Sequence, residues 1–155
     1  MSSHMITAKS LANPCKIGIV VARFNTAITD RLYQDAVETL TPLIGADNIT
    51  VVQVPGAVEI PFALQRLARL KRYDALIAFG AVIYGETDHY HYVSDQVNQG
   101  CLRVMLDESI PVVFGVLTTK TMEQAHARAF GHKEFFGKQA AKTALEMVSI
   151  GQQIT

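Results

Sequence analysis

His89 and His91 stand two apart in the stretch GAVIYGETDHYHYV, residues 80–93, behind a glycine, a glutamate and a threonine. Such a set suits three chemistries: metal ligation by imidazoles, anion binding by a glycine turn with a hydroxyl, or proton transfer by one imidazole. The spacing argues against metal, because helical residues two apart do not share a face and no neighbouring cysteine completes a ligand set. The anion reading has more behind it. YGETDH lies between an apolar run and a helical pattern, where glycine lets backbone approach a ligand and free amides with the helix dipole favour negative charge. Thr87 or Asp88 capping the helix is the plain alternative, and the fragment alone leaves the two even. His89 stands beside the turn, and imidazole is the side chain best suited to moving protons near neutrality. Its plain reading is an ordinary hydrogen-bonded side chain.

Other candidates follow the same pattern of two readings. Phe24 and Asn25 come after an apolar run, where an aromatic face can stack on a flat ring and an amide can read its polar edge. The commoner use of that pair is a core phenylalanine followed by a helix-capping asparagine. Glu59 can accept from hydroxyls or complement the start of the helix behind it. Arg128, at the end of EQAHAR, can pair with phosphate through its rigid fork of donors, or simply be solvated near a helix end.

These residues need a scaffold, and hydrophobic periodicity supplies one. KIGIVVAR (16–23), NITVVQV (48–54), ALIAFGAVI (75–83) and PVVFGVLT (111–118) read as strands, the first of the kind buried on both faces. Between them, Ile28, Leu32, Ala36, Val37 and Leu40 recur at helical spacing before Gly45, PFALQRLARL (61–70) begins with proline in a first turn, and residues 90–106 form an amphipathic pattern despite Gly100. Two more helices follow in TMEQAHARAF and GKQAAKTALEMVSI, separated by GHKEFFG. Strands alternating with helices predict an α/β fold with a parallel sheet and right-handed crossovers. In such a fold, ligands bind outside the carboxyl ends of the strands, which is where the candidate residues fall.

Composition narrows the partners. The 155 residues suit one domain, expected over 15–155, with 1–14 a flexible N-terminal segment whose MSSHM opening resembles an expression remnant. Fourteen basic residues balance fourteen acidic ones, which leaves no electrostatic footprint for nucleic acid or an anionic membrane. ALIAF and PVVFGVL fall far short of the roughly 20 residues of a membrane span. The 49% hydrophobic content is high for a monomer and hints at apolar surface covered by further copies. Cys15 and Cys101 fit no metal or disulfide pattern and read as reduced thiols of a cytoplasmic protein.

Taken in order, GIVVARFN, VPGAVEIPFA, YDALIAFGAVIYGETDHYHYV, PVVFGVLTT and EQAHARA resemble the lumazine synthase family over residues 16–150. The resemblance implies a three-layer α/β/α flavodoxin-like fold with a central four-stranded parallel sheet. It implies a transferase of riboflavin biosynthesis that needs neither metal nor organic cofactor. Its substrates would be 5-amino-6-(D-ribitylamino)uracil and 3,4-dihydroxy-2-butanone 4-phosphate. By that resemblance Phe24 would stack on the pyrimidine with Asn25 beside it, Ala57, Val58 and Glu59 would line the ribityl chain, and Ala81, Val82 and Ile83 would offer main-chain groups. Glu86, Thr87 and Arg128 would bind phosphate, and His89 would shuttle protons. The family's sites lie between subunits of a homopentamer, so Phe114 and Arg128 would reach a neighbour's pocket.

The chain departs from the family pattern in AFGHKEFFG, residues 129–137, where capsid-forming members carry AGTKAGNKG. Phe136 aligns with that pattern's second lysine, while His132, Lys133 or Lys138 offer replacement charge. The expectation is an assembly that forms no stable capsid. Val58 stands in place of a more usual aromatic residue, and Tyr84 where many members have arginine. The competing function is a catalytically weak shell of the same fold that binds flavin or lumazine. A flavodoxin-like role with bound FMN is disfavoured, because FNTAI lacks the required phosphate loop.

Overall fold

The computed structural model describes residues 3–11, 13–131 and 135–154. Strand β1 (Ile17–Ala22) is buried at every position, which is why it carries no polar side chain: a strand covered on both faces has no solvent side. Helix α1 (Thr26–Ile44) follows, then β2 (Ile49–Val54), α2 (Ile60–Arg69) and β3 (Ala75–Ile83). Helix α3 (His89–Asp107), β4 (Val112–Thr119), α4 (Met122–Phe130) and α5 (Phe136–Gln153) complete the order. Among the described residues the strands form one parallel sheet in the order β2-β1-β3-β4. This is the three-layer α/β arrangement that the alternation of patterns predicts.

Side chains of the central strands divide by parity. Ile17, Ile19 and Val21 of β1 join Ala75, Ile77 and Phe79 of β3 in a core closed by α1 and α5. Val20, Ala22, Leu76, Ala78 and Val82 form the opposite core with α2 and α3. Helix α1 stops at Gly45, whose φ of 84° is open to glycine without steric penalty and whose amide donates to the Thr41 carbonyl at 3.0 Å. Gly100 has a packing reason for standing inside α3: a Cβ there would lie 2.4 Å from Pro61 Cγ, so its absence lets α2 and α3 close together.

The segment before β1 lies along α5. The Lys9 amide donates to Ser149 Oγ at 2.7 Å, and Gln153 Nε2 donates to the Thr7 carbonyl at 2.7 Å. Both cysteines are buried free thiols. Burial pushes Cys101 up to about 12; burial, then the nearby Asp74 charge, raises Cys15.

The chain runs from β1 outward to β2, then returns across β1 to β3. The sheet therefore reverses direction between β1 and β3, and the crevice beyond their carboxyl ends is the place such sheets offer a ligand.

Candidate active site

The crevice opens because β1 parts from β3 before it parts from β2. The β1–β3 register ends at Val21 and Phe79, whereas the Arg23 amide still donates to the Val54 carbonyl (2.8 Å) and Phe24 to Pro55 (3.2 Å). Asn25 then takes a left-handed conformation, φ 64° and ψ 49°, which asparagine tolerates better than most residues. Its Nδ2 donates to the Ala81 carbonyl at 2.8 Å, bridging the two strands where their ladder has ended. Because a carbonyl only accepts, the amide nitrogen faces Ala81 and Oδ1 turns away from it.

The plain reading of Phe24 is thereby corrected, whereas Asn25 does start α1, through a backbone carbonyl that accepts from the Ile28 and Thr29 amides at 3.0 and 3.1 Å. Phe24 is 71% exposed rather than core, and the Asn25 side chain makes no capping bond to α1. Backbone pairing with β2 carries Phe24 out of the sheet, and the Nδ2 bridge to Ala81 turns the Asn25 side chain away from the α1 amides that its Oδ1 would have capped.

A cavity of about 420 Å³ fills the crevice, a size that suits a small molecule. Phe24 forms one wall; Ala57, Val58 and Glu59 form a second; Ala81, Val82 and Ile83 at the end of β3 form the third. Thr87 and His89 close it from the turn and the start of α3. Glu59 ends a short 3₁₀ turn leading into α2, is exposed, and makes no side-chain cap, which leaves its carboxylate available at the wall. A larger cavity of about 530 Å³ lies between residues 8–11, Asn13 and Pro14, the end of α1 and the middle of α5. No candidate residue lines it, so the strand-end crevice is the better site.

The turn before α3 carries features of both readings left open by sequence. Thr87 Oγ1 accepts from the His89 amide at 3.3 Å, a long bond, while Asp88 makes no side-chain cap. Thr87 also lies on the cavity wall, beside the positive end of a 19-residue helix with no acidic residue in its first turn. Glu86 is exposed and lies outside the lining.

Phe114 and Arg128 are not brought to this cavity. Phe114 lies on the edge strand β4, 38% exposed. Arg128 is exposed in the last turn of α4, where Nη1 donates to the Gln124 carbonyl of its own helix at 3.3 Å. Helix α4 is firmly started by a capping box, in which Thr121 and Gln124 exchange bonds. Phe136 is half-buried against the α1–α5 core, and Lys138 is exposed. His132 and Lys133 lie outside the described residues.

The cavity also uses residues that sequence reasoning did not assign to it. Tyr90 and Val93 of α3 line it, as do Ala22, Pro55 and Gly56, beside the Gly85 of the expected glycine turn. Pro55 and Gly56 were visible as strand breakers, and Val93 lies one helical turn beyond His89, the only signals available. Tyr84, just outside, stands edge-on to Tyr90 at 5.5 Å and to His91 at 6.1 Å between ring centroids. It therefore braces the ring that forms the wall.

Among the described residues, no three His, Cys, Asp or Glu side chains converge as a metal site requires, and no helix is long and apolar enough to cross a membrane.

The family model described as 6,7-dimethyl-8-ribityllumazine synthase matches residues 14–152. The chain belongs to the 6,7-dimethyl-8-ribityllumazine synthase family. Proteins of that name from Coxiella burnetii strains Dugway 5J108-111, CbuG_Q212 and RSA 493 are 48% identical over 140 residues, spanning 90% of this chain and 93% of each relative. The lumazine synthase match includes all four strands and every loop that walls the crevice.

Proposed function

We propose that the chain is a 6,7-dimethyl-8-ribityllumazine synthase. It joins 5-amino-6-(D-ribitylamino)uracil to 3,4-dihydroxy-2-butanone 4-phosphate, releasing inorganic phosphate and water. The observation that carries this reading is the convergence of Phe24, Glu59, Ala81–Ile83, Thr87 and His89 on one cavity in a chain of this family.

The aromatic face of Phe24 stacks on the pyrimidine, with Asn25 holding the strand end beside it. Main-chain groups of Ala81, Val82 and Ile83 meet the ring's polar edge, and Ala57, Val58 and Glu59 border the ribityl chain, whose hydroxyls donate to the Glu59 carboxylate. Thr87 and the amides at the start of α3 receive the phosphate, with Glu86 at the turn. The substrate amine adds to the ketone, water leaves to form a Schiff base, phosphate is eliminated, and ring closure expels a second water. His89 moves protons during these steps. Holding both reactants in place can supply about 7–11 kcal/mol of barrier lowering, and a proton-transferring group about 10²–10⁴ in rate. Positioning is therefore the larger contribution, and no metal or organic cofactor has a step to perform.

Phe114 and Arg128 act on a neighbour's cavity in a homopentamer, with Arg128 binding the phosphate. Their exposure away from the chain's own cavity supports this arrangement. The working unit is the domain 15–155, in the cytoplasm. The test is steady-state formation of the fluorescent lumazine from both substrates. Turnover that falls in His89→Ala and Arg128→Ala supports the enzyme, whereas tight ligand binding without turnover would favour the binding shell.

A further inference from the structure

Arg31, in the second turn of α1, occupies an unusual setting outside the cavity. Its guanidinium carbon lies 5.2 Å from the centroid of the Phe130 ring and 5.0 Å from that of Phe135. Its Nε donates at 3.0 Å to Oδ2 of Asp35, whose side chain is 10% exposed. Phe130 in turn stacks on His126, with centroids 4.4 Å apart and planes at 18°. Planar, delocalised and weakly hydrated, guanidinium is the cation suited to lie against aromatic rings while keeping a carboxylate partner.

The two rings belong to different elements. Phe130 ends α4, and Phe135 immediately precedes α5. Helix α5 is pressed on the same turn of α1: a Cβ on Gly137 would lie 2.1 Å from the Leu32 carbonyl oxygen and 3.1 Å from Asp35 Cβ. One turn of α1, residues 31–35, therefore holds the end of one helix and the beginning of the next. Arg128 shares the final turn of α4 with Phe130 and bonds to its own helix at Gln124. The direction of its guanidinium is set by how that helix end is held.

We propose that Arg31 is a positioning residue for Arg128: its contacts with Phe130 and Phe135 fix the end of α4 so that Arg128 meets the phosphate of the substrate. The inference rests on the reading of Arg128 as a phosphate ligand. It separates Arg31 from residues that merely stabilise the domain, because its loss acts on one substrate and not the other.

The experiment compares Arg31→Lys, which keeps a cation beside Asp35 but not the flat fork, with Phe130→Leu, which keeps apolar volume and the ion pair but removes one ring. Each is measured for KM of both substrates, for inhibition by inorganic phosphate, and for Tm. The expected result is KM for the phosphate-bearing substrate and Ki for phosphate both raised about three- to tenfold. KM for the pyrimidine should change less than about twofold, and either change added to Arg128→Ala should have no further effect on phosphate binding. Equal movement of both KM values, movement of neither, or full additivity with Arg128→Ala would overturn it. If Arg128→Ala weakens phosphate inhibition while the Arg31 and Phe130 changes do not, this inference alone falls. If Arg128→Ala leaves phosphate inhibition intact, the phosphate reading falls and the inference falls with it.

Discussion

The crevice between β1 and β3 and the surface formed by β4 and α4 make an instructive pair. In the crevice, loops from three strands and the start of α3 converge, so Phe24, Glu59, Thr87 and His89 share a cavity although they are far apart in the chain. On the β4–α4 surface, Phe114 and Arg128 project from regular elements and border no part of that cavity. On the proposed reading the first region holds a flat ring and a polyhydroxyl chain. The second presents an aromatic ring and a cation outside that cavity. The proposed condensation releases phosphate and would need both, and in the proposed homopentamer two copies of the chain would supply them to each site.

The largest expected effect on this contrast comes from Arg128→Ala. Loss of a charge-assisted phosphate contact should lower kcat/KM about 10²- to 10³-fold, chiefly through KM for the phosphate-bearing substrate. Because the side chain is exposed, chemical denaturation should change by less than about 0.5 kcal/mol. A parallel loss of stability would mean the β4–α4 surface is only structural.

His89→Ala should come next, lowering kcat about a hundredfold with little change in either KM, since solvent can relay the proton less efficiently. Single-turnover rates with saturating substrates would measure this. An unchanged rate would remove the histidine from the chemistry and leave the crevice a positioning device alone.

Asn25→Ala should act on the crevice by geometry. It deletes the bridge to Ala81 and places alanine at positive φ, at a cost of about 1–3 kcal/mol in urea unfolding. Asn25→Gly should recover the backbone part only. Equal stability of the two variants would show that the left-handed conformation carries no strain.

Cys101 provides a control outside both regions, with the smallest effect at neutral pH. Its raised pKa keeps the folded thiol neutral until about pH 12, whereas the unfolded thiol ionises near 9.0. The sign follows: its stabilising contribution is complete below pH 9.0 and is lost between 9.0 and about 12 as pH rises. Wild-type urea midpoints should fall relative to Cys101→Ser across that window, and native iodoacetamide labelling should be slow at about pH 8.

The same contrast explains what could be read in the sequence. Strand β3 spans 75–83 as its unbroken apolar run suggests, because a strand buried on both faces advertises itself by composition. The stop at Gly45 and the start near Pro61 were equally visible, since both depend on local backbone chemistry. Phe24 and Asn25 were not settled by local rules. Their placement depends on β1 staying with β2 after leaving β3, a tertiary event that no short stretch encodes. Tyr90 and Val93 were legible as helix residues but not as cavity walls, because packing decides which helix face meets the crevice. For Phe114 and Arg128, motif resemblance suggested a role while spacing gave no position.

Subunit complementation tests the two-copy site most directly. Phe24→Ala chains, damaged in the crevice, and Arg128→Ala chains, damaged on the β4–α4 surface, are unfolded, mixed in equal amounts and refolded together. If crevice and surface meet across a subunit boundary, random neighbours in a ring pair an intact crevice with an intact surface about one time in four, and about a quarter of wild-type activity returns. Activity no greater than that of the two parents refolded separately would contradict a shared site and return both halves to a single chain.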